Sequence, residues 1–306
     1  MGRWAILAVA TLLMLPGLGQ AGELQRIRER GEIRVSLNRG YPPFAMETSG
    51  AFHGLDVDLA HLLADYLGVE ARFVQPETYE EQIPKLLAGE SDIIMAAMTR
   101  TMERGLQVHF STPYFEVSQA ALARRDKVSA GADAYFDLLE VKGLRLGVKT
   151  GTTHEAFARQ LFPEEAIRGY PTAEAAAEAV VRGEVDAMAA DSPFVQVWRN
   201  THVDQYYKVT ALLAPVTREF YAFAVRQGDP DFLQWVNLFV DQIRTDGTLE
   251  LLRHEYFEKL AWATGASRTI DPAERVRFLK DRFSAERRAL MEARREAFLQ
   301  NGDPYE

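Results

Sequence analysis

Cysteine is absent from the 306 residues. Disulfides, thiolate metal sites, iron–sulfur clusters, a cysteine nucleophile and an N-terminal lipid-modified cysteine are excluded with it. Positive charge is in deficit: 35 Lys and Arg stand against 44 Asp and Glu, a formal net charge of −9. An acidic chain repels phosphate backbones, so no nucleic-acid partner is expected. Histidines are few, six in all. They show no HExxH pattern and no pair four residues apart, so neither a metal nor any other cofactor is expected. The phosphate-loop pattern GxxxxGK[ST] and the Gly-x-Ser-x-Gly nucleophile elbow are also missing. After residue 21 no apolar run reaches the roughly 20 residues that a bilayer span needs.

What is present begins with an address. Residues 1–21 combine Arg3, an apolar stretch from Trp4 to Leu15, the breakers Pro16 and Gly17, and small residues at Gly19 and Ala21. This is the order of a signal peptide cleaved after about Ala21. The stretch is too short for an anchor. The mature chain is expected to be soluble, exported to the periplasm and monomeric.

Two stretches then follow one pattern. From Glu32, strand-like IRVSLN leads through YPPF into an apolar-periodic helix, LDVDLAHLLADYLGV. ARFVQP (strand), YEEQIPKLLAGE (helix) and SDIIMAAM (buried strand) follow. From Lys142, LRLGVKT, GTTHEAFARQLF, AEAAAEAVVRGE and VDAMAAD repeat the alternation. Strands alternating with helices of 10–15 residues predict parallel sheets, hence two α/β lobes. Ligands in such folds sit beyond the carboxyl ends of strands. FYAFAVR predicts one further strand, and residues 229–260 predict two helices broken at Asp246-Gly247. Residues 266–306 carry nine Lys/Arg and eight Asp/Glu. Val276, Leu279 and Phe283 fall at helical spacing, with Leu290 and Met291 beyond. A salt-laced helix packing one stripe on the body is expected there, with a partner-docking helix as the alternative.

Three passages carry a resemblance. The first is Gly54-Leu55-Asp56-Val57-Asp58-Leu59 with Leu63-Ala64 and Leu67. The second is Met98-Thr99-Arg100-Thr101-Met102-Glu103-Arg104 with Phe110-Ser111-Thr112-Pro113-Tyr114. The third is Gly147 to Thr153, with Val185-Asp186-Ala187 and Asp191 downstream. Together, across about residues 24–260, the chain resembles bacterial extracellular solute-binding proteins of the polar-amino-acid type, the capture subunits of ABC importers. The resemblance implies a two-lobed periplasmic-binding-protein-like clamp with a mixed, mostly parallel sheet in each lobe, plus the helical extension. Lobe 1 would comprise 22–116 and 216–265, lobe 2 117–215, and the extension 266–306. Its partners would be an amino acid and an ABC transporter permease, with membrane contact only through the permease.

An amino acid presents a carboxylate and an ammonium on one carbon, and each costs several kcal/mol to desolvate unless it is paired. Arg104, whose guanidinium can donate two parallel hydrogen bonds, is the candidate for the carboxylate. The resemblance supports it there, whereas local sequence alone also allows a surface arginine. Arg100 is expected to be exposed. Thr99, Thr101 and Thr153 would add donors, or else cap helices. Asp191 is the candidate for the ammonium, or else a helix N-cap. Asn38 stands where many members carry a second acid, which weighs against a strongly cationic ligand. Tyr41 would cover the ligand's carbon chain, Phe44 would pack in the core and Leu55 would supply an apolar wall. Lys149, if it points into the cleft, favours an acidic or amide ligand; if it points out, it says nothing.

Two other functions remain in view. The family contains periplasmic cyclohexadienyl/arogenate dehydratases, similar near GTTHEAFARQ. Their general acid would fall at Phe194, which cannot donate a proton. A non-enzyme is therefore expected. The charged tail motivates the other alternative, a non-transport module docking a sensor or oxidoreductase.

Overall fold

The computed structural model describes residues 22–48, 50–264 and 271–281. The signal-peptide segment, and Phe283, Leu290 and Met291 of the tail, lie outside the described residues. The first lobe opens with a helix, Glu23–Arg30, and strand β1 (Glu32–Ser36). A hairpin of β2 (Met46–Thr48) and β3 (Ala51–His53) precedes the helix Leu55–Leu67. Strands β4 (Glu70–Val74), β5 (Ile93–Ile94) and β6 (Val108–Phe110) follow. The chain leaves through β7 (Phe115–Val117) and enters the second lobe at β8 (Gln119–Arg124). There β9 (Leu146–Lys149), β10 (Ile167–Tyr170), β11 (Ala187–Asp191) and β12 (Val209–Leu212) alternate with helices Thr153–Leu161, Ala173–Arg182 and Ser192–Thr201. The return runs through β13 (Glu219–Tyr221) to β14 (Ala224–Arg226).

Each lobe holds one five-stranded sheet, ordered β4-β1-β5-β14-β6 and β10-β9-β11-β8-β12. In both, the first three strands run parallel, the fourth (β14 or β8) runs against them, and the fifth (β6 or β12) pairs antiparallel with the fourth and so follows the first three. The mixed, mostly parallel α/β clamp is thus present. β7 and β13 pair antiparallel to form a two-stranded ribbon between the sheets. This ribbon corrects the expectation of one strand over FYAFAVR. β13 pairs with β7 while β14 pairs with β5 and β6, because the chain must leave the ribbon to rejoin the first sheet. The buried run SDIIMAAM is likewise a strand only at Ile93–Ile94.

The lobes share a device. Arg34 in β1 donates from its backbone N–H, Nε and Nη2 to Asp92, just ahead of β5. Arg145, just ahead of β9, donates the same three groups to Asp186, just ahead of β11. The short sequences Gly-Glu-Ser-Asp and Gly-Glu-Val-Asp that place these acids are visible at 89–92 and 183–186.

The helices Pro230–Thr245 and Thr248–Arg253 break at Asp246-Gly247, where Gly247 takes φ 85°, a conformation glycine adopts without penalty. Residues 272–281 are helical and bury Val276 and Leu279. Arg275 on this helix donates to Asp58 at 2.7 and 3.0 Å and pairs with Glu255, while Tyr256 donates to the same Asp58 at 2.9 Å. The described part of the tail therefore packs one stripe on the first lobe.

Candidate functional site

The carboxyl ends of β1, β5, β9 and β11 deliver the polar residues of a gap between the lobes. Asn38 and Tyr41 follow β1, and Ala97, Thr99 and Arg104 follow β5. Lys149 ends β9, Thr152, Thr153 and His154 open the next helix, and Asp191 ends β11. With Tyr79 they line one narrow gap, nearly filled by these side chains.

The floor is set by the motif at 54–59. Gly54 has φ 138°, and a Cβ there would overlap the Phe44 carbonyl. Asp56 is fully buried and accepts from the Ala97 N–H at 2.8 Å and the Tyr114 hydroxyl at 2.7 Å. Burial pushes its pKa up to about 7, against the pull of these donors. The Ala97 N–H is held while Ala97 itself takes φ 47°, a left-handed conformation unusual for alanine. The motif thus scaffolds the site from below. That explains why Leu55, expected as a wall, does not line the gap: it opens the helix Leu55–Leu67 and is buried in the lobe core.

Arg104 reaches the gap from the short helix Met102–Gly105. Its Nη1 donates to the Thr99 carbonyl at 2.8 Å, and Nη2 to the Gly151 carbonyl across the cleft at 3.4 Å. Its guanidinium carbon lies 5.6 Å from the Tyr79 ring centre. Thr101 does not line the gap. Its hydroxyl is spent as the N-cap of this helix, accepting from the Arg104 N–H at 3.2 Å. Arg100 is exposed, as expected. Thr99 and Thr153 face each other across the lobes with hydroxyls 3.4 Å apart. Capping of the helix at 153–161 falls to Thr152, which leaves the Thr153 hydroxyl toward the gap.

Asp191 is buried, 2% exposed, at the end of β11. It makes no side-chain cap to the helix that follows. Its Oδ2 accepts from the Tyr41 hydroxyl at 3.1 Å and from the Tyr221 hydroxyl, and His154 Nε2 lies 3.3 Å from it. Its Oδ1 is buried with no hydrogen-bond partner among the described residues. A buried carboxylate oxygen left unpaired costs about 1–3 kcal/mol unless something arrives to donate to it. His154 is itself oriented. Glu219 accepts from Gln119 Nε2 at 3.0 Å, which turns Gln119 Oε1 toward His154 Nδ1, also 3.0 Å away.

Lys149 points into the cleft and is buried, 4% exposed. Its Nζ donates to Asn38 Oδ1 across the lobes and lies 4.9 Å from the Tyr79 ring centre and 5.9 Å from that of Tyr41. Desolvation draws its pKa down to about 8. Tyr41 stacks on Phe194 at 5.3 Å and an interplanar angle of 8°, and Phe44 packs behind in the core. Phe194 is fully buried, so its position holds a ring and no proton donor.

Tyr79, Ala97, Thr152, His154 and Tyr221 were not singled out from sequence. His154, beside Thr153 at a helix start, was the most accessible of these, since a polar residue at a helix N-terminus beyond a strand belongs to the carboxyl-end loops. Tyr79 and Tyr221 carry no local signal.

Residues 33–259 match the model of the bacterial extracellular solute-binding proteins, family 3. The chain belongs to this family. The L-cystine-binding protein TcyJ of Escherichia coli K12 is 30% identical over 268 residues, covering 84% of this chain and 96% of its own. A putative binding component of an ABC transporter from Wolinella succinogenes, complexed with lysine, is 35% identical with a TM-score of 0.70, covering 75% of this chain and 97% of its own. An ancestral amino acid-binding protein, a precursor of cyclohexadienyl dehydratase, is 35% identical with a TM-score of 0.69, covering 77% and 99%. Among the described residues no helix is long and apolar enough to cross a membrane, and no group of acids and histidines gathers as a metal site.

Proposed function

We propose that this family member captures a free amino acid in the periplasm, between its two lobes, and delivers it to an ABC importer. The observation that carries the proposal is the pairing of opposite demands across one gap. Arg104 offers its guanidinium from the first lobe, and buried Asp191 has one unpartnered oxygen on the second. A ligand carboxylate would take the first and its ammonium the second. Tyr41, between them, would cover the ligand's carbon chain. Bonds that already cross the cleft, from Arg104 to Gly151 and from Tyr41 to Asp191, would be shared with the ligand and would favour the closed clamp. The lobe boundaries at 116/117 and 215/216 belong to the same proposal, since the ribbon of β7 and β13 is the natural hinge.

Dehydration of a cyclohexadienyl substrate is disfavoured by the ring at Phe194, which has no proton to give. Calorimetry with the common amino acids, alongside product detection with arogenate and prephenate, tests both functions. Saturable binding of at least one amino acid without turnover is expected. Product formation, or no binding by any amino acid, would overturn the proposal.

A further inference from the structure

Two cations and one carboxylate line the gap: Arg104, Lys149 and Asp191. His154, Asn38, Tyr41, Tyr79 and the threonines add no negative charge. Neither cation has an acidic partner among the described residues. Arg104 donates to two backbone carbonyls, and Lys149 to a neutral amide oxygen. Of the nearby acids, exposed Glu80 packs against Gly151 outside the residues that line the gap, and two others are committed elsewhere. Glu155 accepts from the Gly151 N–H at 2.8 Å and from Arg159 at 2.8 Å. Glu219 accepts from Gln119 at 3.0 Å and Thr217 at 2.9 Å. A buried ammonium without a counter-ion is costly unless one is supplied.

The aromatic faces add a second argument. The Tyr79 ring has Lys149 at 4.9 Å and Arg104 at 5.6 Å. A face that could attract a ligand cation is already taken by the protein's own. A guanidinium or ammonium side chain arriving here would meet the positive charges of Arg104 and Lys149 in a low-dielectric space.

Granted amino-acid capture, we infer that the ligand is an acidic amino acid, its α-carboxylate on Arg104, its ammonium on Asp191 Oδ1 and its side-chain carboxylate on Lys149. Asp191 offsets only one of the two cations, Arg104 and Lys149, and the ligand's side-chain carboxylate would answer the other. Burial that draws the Lys149 pKa to about 8 in the free protein is what an arriving anion would reverse. A dicarboxylate without the ammonium would leave Asp191 unpaired.

Isothermal titration of the purified protein with glutamate, aspartate, glutamine, asparagine, arginine, lysine and succinate tests this. One acidic amino acid is expected to bind about 100-fold or more tighter than its amide, arginine, lysine or succinate, the scale of a buried charge contact. Lys149→Gln is expected to lower the acid-over-amide ratio by about 30-fold or more. Asn38→Asp would supply the lysine's counter-ion within the chain, and should lower the same ratio even if the lysine variant does not fold. Tightest binding by an amide or a cationic amino acid, or a ratio unmoved by Asn38→Asp, would overturn the acidic assignment and leave amino-acid capture standing. Succinate binding as tightly as the acidic amino acids would overturn the ammonium contact. Failure of every amino acid to bind would overturn the capture proposal itself.

Discussion

The two ends of the sheets treat charge in opposite ways. Ahead of β5, Asp92 is fully buried and meets Arg30, Arg34 and Arg226. Ahead of β11, Asp186 meets Arg145 and Lys127. Every acid there is surrounded by donors from its own chain. At the carboxyl ends, Arg104 and Lys149 have no described acid, and Asp191 keeps one oxygen unpartnered. Charges that hold the fold are saturated internally. Charges left unsatisfied in a buried gap are stability the protein forgoes for a partner it must bind.

The contrast can be broken from either side. The largest expected effect is at the saturated end. Asp92→Ala would take the shared buried carboxylate from three partly exposed arginines and from the Arg34 N–H, and lower unfolding stability by about 3–5 kcal/mol, with ligand affinity unchanged in the folded fraction. Denaturant melts and calorimetry would separate the two. At the other end, Lys149 should have the reverse sign. Its folded pKa, about 8, lies below the ordinary 10.5, so the unfolded chain binds more protons between those values. Ligand-free stability contributed by this group should rise by about 3 kcal/mol from pH 8 to pH 10.5. Lys149→Met should abolish that rise and make the ligand-free protein more stable at pH 7. A variant less stable at pH 7 would contradict the contrast.

A smaller effect belongs to the tail. Arg275→Met removes two donors from Asp58, which retains the Tyr256 hydroxyl. About 1–2 kcal/mol of stability should be lost with no change in affinity, readable in the same melts. An altered affinity would link the extension to the cleft and sharpen the question of its role.

Much of this was legible in the sequence because it rests on periodicity and turn chemistry. The alternation of strands and helices announced two α/β lobes, and Asp246-Gly247 announced a helix break. Arg104, Asp191, Asn38, Tyr41, Thr99, Lys149 and Thr153 all follow or end strands whose carboxyl ends meet in the gap. Leu55 and Thr101 do not line it, for reasons sequence position cannot carry. A residue inside a signature can serve the scaffold, and a threonine before a short helix spends its hydroxyl on the helix. Tyr79 and Tyr221 escaped notice because their roles depend on long-range approach: Tyr221 reaches Asp191 only once the return ribbon has formed. The direction of Lys149 was undecidable for the same reason, since it depends on Asn38 from the other lobe.

The most direct test is the dissociation constant of the tightest-binding amino acid for the wild-type protein and for Arg104→Ala and Asp191→Ala, each first shown to melt cooperatively. The account predicts a loss of about 2 kcal/mol or more in each variant, because each truncation strands one charge of the bound zwitterion. Affinity equal to wild type in either variant would contradict it.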